Sequence, residues 1–295
     1  MDIYRMTLEQ LRIFATVAET LNMRQAAEKL HLTQPAVSAA IAALEERHDT
    51  RLFDRVGRGL ELNEAGRAFL PEASAVLARA GQALQVLGDL AGLVRGELRI
   101  AASQTVATYW LPSRMARFAS RYPGITLSLQ VGNTAQAAAA VAKGEADLGF
   151  VEGHVDDALL STRKVGSDRL ALCATKSHPL AGRSLKRADL AAASWVLREP
   201  GSGTRHHLEQ CLASRFDLSL EALDVRLELP SNGAVLEAAA ASNLITAVSD
   251  LAAGPRAAAG LVVELDCPLA ARDFHLLQSR SRKRGRAAEA FVSML

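Results

Sequence analysis

The sequence predicts an α + α/β chain: a small helical module with a β-ribbon, one long linker helix, and a larger α/β domain of two similar lobes. Three observations predict it. Short helical patterns fill residues 6 to 62, one alanine-rich helical pattern runs from 64 to 91, and beyond Gly96 strand-like and helix-like segments alternate. A chain of 295 residues, 49% hydrophobic and 22% charged, suits roughly two soluble domains.

In the first stretch, "TLEQLRIFATVAET" puts Leu8, Leu11, Phe14, Ala15 and Ala18 on one helical face. "NMRQAAEKL" is a second, short helix with Ala26, Ala27 and Leu30 inward. After the turn "HLT", a third helix spans 34 to 46. Thr33 is a good N-cap, and Pro35 lies in the first turn, where a missing N–H does no harm. Val37, Ile41 and Leu44 face inward, and Ala36, Ser38, Ala39 and Ala42 form a small, uncharged outer face that fits a DNA major groove. Two helices joined by a three-residue turn make a helix-turn-helix. Alternation in Arg51-Leu52-Phe53 and Leu60-Glu61-Leu62, around the turn Val56-Gly57-Arg58-Gly59, predicts a β-wing with Arg55 and Arg58 near its tip. Arginine there suits phosphate or the minor groove.

"RQAAEKLHLTQPAVSAAIAALEERHDTRLFDR" followed by "LNEAG" resembles the DNA-binding domain of the LysR-type transcriptional regulators. The resemblance extends over the whole chain. It implies an N-terminal winged helix-turn-helix (1–63), a linker and dimerisation helix (64–94), and a C-terminal effector-binding domain like the periplasmic binding proteins (95–295), assembled as a tetramer. One departure is Ala39, followed by Ala40, where the family often has a basic residue or a long amide after Ser38. Residues 1–65 carry eight basic and ten acidic side chains. Phosphate neutralisation drives non-specific DNA affinity, so affinity per monomer is expected to be modest and to lean on Arg24, Arg55, Arg58 and dimerisation. Gln34, Pro35 and Ser38, in the first turns of the third helix, are the candidate groove contacts, with Thr33 and Ala36 beside them.

Asn63 can cap the long helix. Phe69, Ala73, Val76, Ala80, Leu84, Leu87 and Ala91 recur at about 3.5 residues, a coiled-coil seam. Pro71 leaves the carbonyl of Arg67 without its usual donor, which favours a bend. In the family the resemblance names, this helix pairs with its equivalent in a second subunit; packing against its own effector domain is the alternative.

The α/β half reads βαβαβ from "GELRIAAS" through "ITLSLQVGN" to "ADLGFVEG", which predicts a parallel sheet with ligand beyond its carboxyl edge. Ser103-Gln104-Thr105, Asn133-Thr134 and Glu152-Gly153 all fall on that edge. A second round follows, with the chain crossing into the second lobe near 165 and returning near 268, so that subdomain I comprises 95–165 and 268–295 and subdomain II 166–267. Within it, "REPGSGTR" joins the strand Trp195-Val196-Leu197 to a helix beginning near Thr204. Gly201 and Gly203 free the backbone, and Ser202, Thr204 and the helix start offer donors to an anion. No Lys follows Gly203, so this is not a Walker loop, nor is the spacing G-x-G-x-x-G. The loop is either one wall of a ligand cleft facing Ser103 and Thr105 or a turn without a ligand.

Other residues carry less. Glu152 either contacts a cationic group or caps a turn. His206 and His207 diverge by about 100° on a helix, against a shared metal. Cys173, Cys211 and Cys267 have no metal-ligand spacing and read as buried apolar residues. The run Arg280, Arg282, Lys283, Arg284, Arg286 is either a second nucleic-acid patch or a solvated loop. The start "MDIYRMTLEQ" lacks an apolar signal core and no apolar run reaches the ~20 residues of a membrane span, so a cytoplasmic chain is expected. The function expected is a non-enzymatic, cofactor-free regulator of transcription that binds operator DNA and a small, anionic effector, as a homodimer or homotetramer, with RNA polymerase as a further partner. The competing reading is a ligand-binding or enzymatic α/β protein whose helical arm serves only dimerisation.

Overall fold

The first helix, α1 (Leu8–Thr20), starts where Thr7 and Gln10 close a reciprocal capping box, and it ends on Leu21 in the left-handed region. Asn22 caps α2 (Met23–Leu30) by accepting from the N–H groups of Arg24 and Gln25, and His31 at φ 56° turns the chain into α3 (Gln34–Arg47). The computed structural model describes residues 6–56, 59–90, 96–153, 155–267 and 269–295. It divides into two compact units, Met1–Leu87 and Gly88–Leu295.

In the N-terminal unit the inward faces read from the sequence meet in one core. Phe14, fully buried, packs on Phe53 and Phe69 at ring-centroid distances of 5.5 and 5.0 Å, with Val37, Ile41 and Leu44 beside them. Burying a side chain of that size stabilises the unit by about 1.5–3 kcal/mol. The wing strands are β1 (Phe53–Val56) and β2 (Gly59–Leu62), antiparallel. The first strand starts later than the alternation suggested. The N–H groups of Leu52 and Phe53 donate to the Glu45 carboxylate at 2.7 and 3.2 Å, so α3 takes these donors. Thr33 occupies the N-cap position of α3 but makes no side-chain cap bond.

The linker, α4 (Glu64–Leu90), runs unbroken through Pro71. Asn63 caps it by accepting from the Gly66 N–H at 2.9 Å. The seam is not uniform. Phe69 and Ala73 pack into the unit's own core, while Val76 is exposed; the side chains of Leu84 and Leu87, and all of Ala91, lie outside the described residues.

In the second unit β3 (Gly96–Ser103) leads through a π-helical turn, Val106–Trp110, to α5 (Leu111–Arg121). Then come β4 (Ile125–Gly132), α6 (Thr134–Lys143), β5 (Leu148–Glu152) and β6 (Leu160–Ala174). The second round is α7 (Arg187–Ala192), β7 (Ser194–Arg198), α8 (Gly203–Phe216), β8 (Asp224–Leu229), α9 (Asn232–Ala240), β9 (Thr246–Ser249), α10 (Asp250–Ala258) and β10 (Val263–Glu264). The chain closes with β11 (Ala271–Ser279) and α11 (Arg286–Ser293). β3 pairs in parallel with β4 and β5, as βαβαβ order requires. β11 runs antiparallel to β5 and β6, and the far end of β6 pairs with β9 and β10. β7 and β8 form a separate parallel pair, bridged to the β9 side through Trp195 and Ile245.

Period-two alternation sorts the side chains into a core on each face of both sheets. Leu98, Ile100 and Ala102 join Phe118, Phe150, Phe274 and Phe291, while Ala101, Val151 and Leu277 meet the alanines of α6. Leu170 and Leu172 face Trp195, Leu208 and Leu212; Ala171 and Cys173 face Val235, Leu236 and Ala239. The result is two α/β lobes joined by β6 and β11. β6 runs continuously from Leu160 to Ala174, through the position near 165 where the chain was expected to cross between lobes.

Gly66, in the "LNEAG" stretch, is where the linker meets the wing. A Cβ there would lie 2.1 Å from the Leu52 carbonyl oxygen. Gly66→Ala is expected to destabilise the N-terminal unit by about 3 kcal/mol, measured by urea unfolding. The matched control is Gly81→Ala, where an added Cβ meets nothing within 4 Å. It should leave stability unchanged or raise it by up to about 1 kcal/mol.

Candidate functional site

Helix α3 divides as its sequence implies. Val37, Ile41 and Leu44 are buried, while Gln34, Pro35, Ala36, Ala39 and Ala42 are exposed and Ser38 is half-buried. Gln34 donates to the Ser38 hydroxyl at 3.1 Å, which orders the two amphoteric side chains on the outer face. Thr33 is exposed at the helix start. Arg24 is exposed and lies 3.2 Å from Glu28 one turn on, so a phosphate would have to compete with that weak surface pair. Arg55 is exposed on β1; Arg58 lies outside the described residues.

The second site is built at the carboxyl ends of the strands, where four helices start. The π-helical turn follows Ser103-Gln104-Thr105, Asn133 caps α6, Ser202 caps α8 and Ser231 caps α9. Ser103, Thr105, Thr134, Glu152, Ser202 and Thr204, all anticipated from the sequence, are brought together and buried. Gly203 is an interlobe contact: a Cβ on it would lie 2.5 Å from both the Glu152 carbonyl oxygen and the Thr134 hydroxyl. Gly201, at φ +84°, sits beside Asn133, and its carbonyl accepts from the Ala135 N–H at 3.3 Å. Gln104 reaches across to the second lobe, donating to the Pro230 carbonyl at 2.8 Å and accepting from the Asn232 N–H at 3.1 Å. Gly153 is engaged differently: its N–H donates to Asp273 at 3.1 Å and its carbonyl meets His275 at 2.9 Å, so its backbone fixes a turn.

The centre of the site is a residue the sequence reading missed. Arg272, at the start of β11, is 2% exposed and lies directly opposite Asp168 of β6. Its Nε and Nη2 donate to the two Asp168 oxygens at 2.6 and 2.8 Å. Nη1 donates to Thr204 Oγ1 of the second lobe at 2.9 Å, and Nη2 also to Thr105 Oγ1 of the first at 3.4 Å. Glu152 Oε1 lies 3.8 Å from Nη1. Burial works against the charge, but the bonds from Asp168 and the charge of Glu152 outweigh it and hold the guanidinium above its ordinary pKa. Thr105 also accepts from Asn232 at 3.0 Å; Asn232 accepts from Arg198 at 2.7 Å; Arg198 forks onto Glu199 at 2.8 and 3.0 Å; and Asn133 donates to Glu199 at 3.4 Å. This chain of bonds crosses between lobes twice.

Glu152 therefore answers the alternatives left by the sequence: it faces a cation and also receives the Ser103 hydroxyl, with Thr204 Oγ1 at 3.5 Å. Asn232 sits on the same kind of carboxyl-edge turn as Asn133, so the rule applied to the first lobe would have found it in the second. Arg198 flanked the glycine loop in plain view. Arg272 and Asp168 had no local signal, because only the β6–β11 register puts them side by side. Several of the remaining residues are engaged locally. His207 meets the Ala270 carbonyl and His206 approaches Glu209. Arg280 donates to the Leu160 carbonyl, and Arg282 to those of Val141 and Ala142 at the end of α6. The three cysteines are buried, and burial pushes the Cys173 thiol up to about 12. Among the described residues no His, Cys, Asp and Glu group is placed to hold a metal, and no helix is long and apolar enough to cross a membrane.

Arg272→Met would strand Asp168 and Glu152 as buried, uncompensated carboxylates. It is expected to lower stability by about 3–5 kcal/mol, read from guanidinium unfolding of the full chain. A loss under about 1 kcal/mol would mean that the pair is not what holds the lobes.

Comparison with known proteins places this geometry. Residues 8–67 match the bacterial regulatory helix-turn-helix protein model of the lysR family, and residues 91–295 match the LysR substrate binding domain. The chain is 35% identical over 263 residues to the HTH-type transcriptional regulator YeiE of Escherichia coli K12, covering 89% of this chain and 87% of that protein. It is 31% identical over 291 residues to a probable RuBisCO transcriptional regulator of Trichormus variabilis, covering 97% and 86%. Among solved structures, full-length CbnR complexed with its target DNA superposes with a TM-score of 0.72 at 23% identity, covering 98% of each chain. The regulatory domain of Synechocystis CcmR, in complex with 2-PG, gives 0.61 at 29% identity over 68% of this chain and 95% of that one. The family consists of transcriptional regulators and not of enzymes. This chain belongs to the LysR family of DNA-binding transcriptional regulators, with a helix-turn-helix module and an effector-binding domain.

Proposed function

We propose that this regulator reads operator DNA with the outer face of α3 and responds to a small anionic effector in the cleft between its lobes. The observation that carries the reading is Arg272: a buried cation between the lobes that touches a hydroxyl of each. Gln34, Pro35, Ala36 and Ser38 would lie against base edges and Thr33 against the backbone. Arg24, Arg55 and Arg58 would meet phosphate or the minor groove. The effector would be held by Ser103, Gln104, Thr105, Asn133, Thr134, Glu152, Gly153, Gly201, Ser202, Gly203 and Thr204, joined by Arg198, Asn232 and Arg272. The lobes would be 95–165 with 268–295, and 166–267. The likeness to a CcmR domain that holds 2-PG supports a small-molecule ligand in such a cleft.

The exposed part of the α4 seam, at Val76, supports pairing with a second copy, and a homotetramer would present two such arms. With eight basic and ten acidic residues in 1–65, a single arm is a weak binder, and two half-sites engaged together compensate for that. Effector occupancy would shift the balance between two lobe arrangements and so the angle of the arms, in a cytoplasmic protein that can also meet RNA polymerase.

Footprinting on the DNA flanking its own gene is expected to show salt-dependent protection. Arg55→Ala should lower the slope of log K against log salt by about 1; protection that is absent, or insensitive to salt, sinks the operator reading. For the cleft, Thr204→Ala should lower the response of footprint or transcription to the effector at least tenfold. A normal response in both Thr204→Ala and Ser103→Ala refutes the assignment.

A further inference from the structure

Glu152 sits where an anion would be expected to bind. Its backbone ends β5, and its side chain, 2% exposed, crosses to the start of α8 in the other lobe. A Cβ on Gly203 would lie 2.9 Å from Glu152 Cγ, so the carboxylate arm rests on the first turn of α8. There the N–H groups of Gly203 and Thr204 have no acceptor within their helix, and the helix end is positive. One carboxylate oxygen receives the Ser103 hydroxyl; the other lies 3.5 Å from Thr204 Oγ1 and 3.8 Å from Arg272 Nη1. Asp168 engages Nε and Nη2 of that guanidinium, leaving Nη1 for Thr204 and the Glu152 side. Two hydroxyls, a guanidinium N–H and a helix start form a donor set suited to an oxyanion.

We propose that Glu152 is a tethered anion that occupies this position, so that an anionic effector binds by displacing it. The proposal rests on the cleft reading above and adds a mechanism of selection to it. Two anions cannot share a buried position of this size, because like charges repel strongly where little water screens them. The free site is then available only for the fraction of time that the carboxylate is swung off, and the apparent dissociation constant rises by the inverse of that fraction. Inorganic oxyanions, which offer nothing beyond the contacts Glu152 already makes, are screened out. A metabolite anion with a second polar group, able to use Arg198, Asn232 or Gln104 as well, displaces the arm. The lobe-bridging contact is thus made internally at rest and by the effector when bound.

The test uses the full-length protein with sodium sulfate and sodium phosphate as probes, at constant ionic strength, read by calorimetric titration and thermal shift. Glu152→Gln keeps the size and the Ser103 bond but removes the charge. It is expected to bind sulfate at least tenfold more tightly than the parent chain. Glu152→Asp keeps the charge on a shorter arm that withdraws from α8, and should fall between the two. A Gln variant that folds, by circular dichroism, and binds sulfate no more tightly than the parent overturns the proposal; if the Gln variant does not fold, an Asp variant with no gain overturns it. Adding Thr204→Ala separates the two levels of inference. If Thr204→Ala weakens sulfate binding in the parent while Glu152→Gln brings no gain, the cleft stands and the tethered anion falls. If sulfate binding in every variant ignores Thr204→Ala, the cleft reading fails and takes the proposal with it.

Discussion

A guanidinium removed from water must find acceptors for its N–H groups and a counter-charge, or the fold loses several kcal/mol. Arg272 meets that demand from four elements at once: Asp168 on the neighbouring strand β6, Thr105 from one lobe, Thr204 from the other, and Glu152 at the end of β5, its neighbour strand on the other side. The two connecting strands are therefore more than a tether between lobes. Any change in lobe orientation has to re-satisfy this one side chain, and a buried charge tolerates few intermediate geometries. That favours a small number of discrete arrangements over a continuum, which is what a switch requires.

Much of this was legible in the chain because the signals were local. The one-face spacing of Leu8, Leu11 and Phe14, the first-turn Pro35 and the spacing of Val37, Ile41 and Leu44 each act over one or two turns and gave α1 and α3 directly. The βαβαβ order gave a parallel sheet, and the carboxyl-edge rule gave Ser103, Thr105, Thr134, Glu152 and Thr204, all of which meet. What could not be read were relations across long separations. Arg272 and Asp168 become neighbours through the register of β11 on β6. The start of β1 was misplaced because Glu45, on a different element, takes the N–H groups of Leu52 and Phe53. Phe69 and Ala73 fit a coiled-coil seam by spacing, yet the nearest apolar surface is the unit's own core, and they pack there.

The two ends of the chain show opposite electrostatic designs. Helix α3 presents a nearly uncharged outer face within a module whose acids outnumber its bases, so bulk electrostatic attraction to a polyanion is weak there and short polar groups dominate that surface. The interlobe region concentrates its charge instead: buried Arg198 is matched to the Glu199 carboxylate and the Asn232 amide, and buried Arg272 to the Asp168 carboxylate and two threonine hydroxyls, all within 3.4 Å. Paired in this way, the charges are held between the lobes, and the glycine-hydroxyl loop that begins α8 packs beside them.

The close approach at Gly66 has a mechanical meaning. The Leu52 carbonyl accepts from the Asn63 N–H, Asn63 Nδ2 donates to the Arg51 carbonyl, and Asn63 caps the linker, so wing and helix are welded at their junction with no room for a side chain between them. A helix of 27 residues is about 40 Å long. A tilt of about 5° then moves its far end by roughly 3.5 Å, and the weld converts that displacement back into rotation of the wing. Within the N-terminal unit, the linker and the wing are thus joined stiffly, so that a tilt of the helix turns the wing with it.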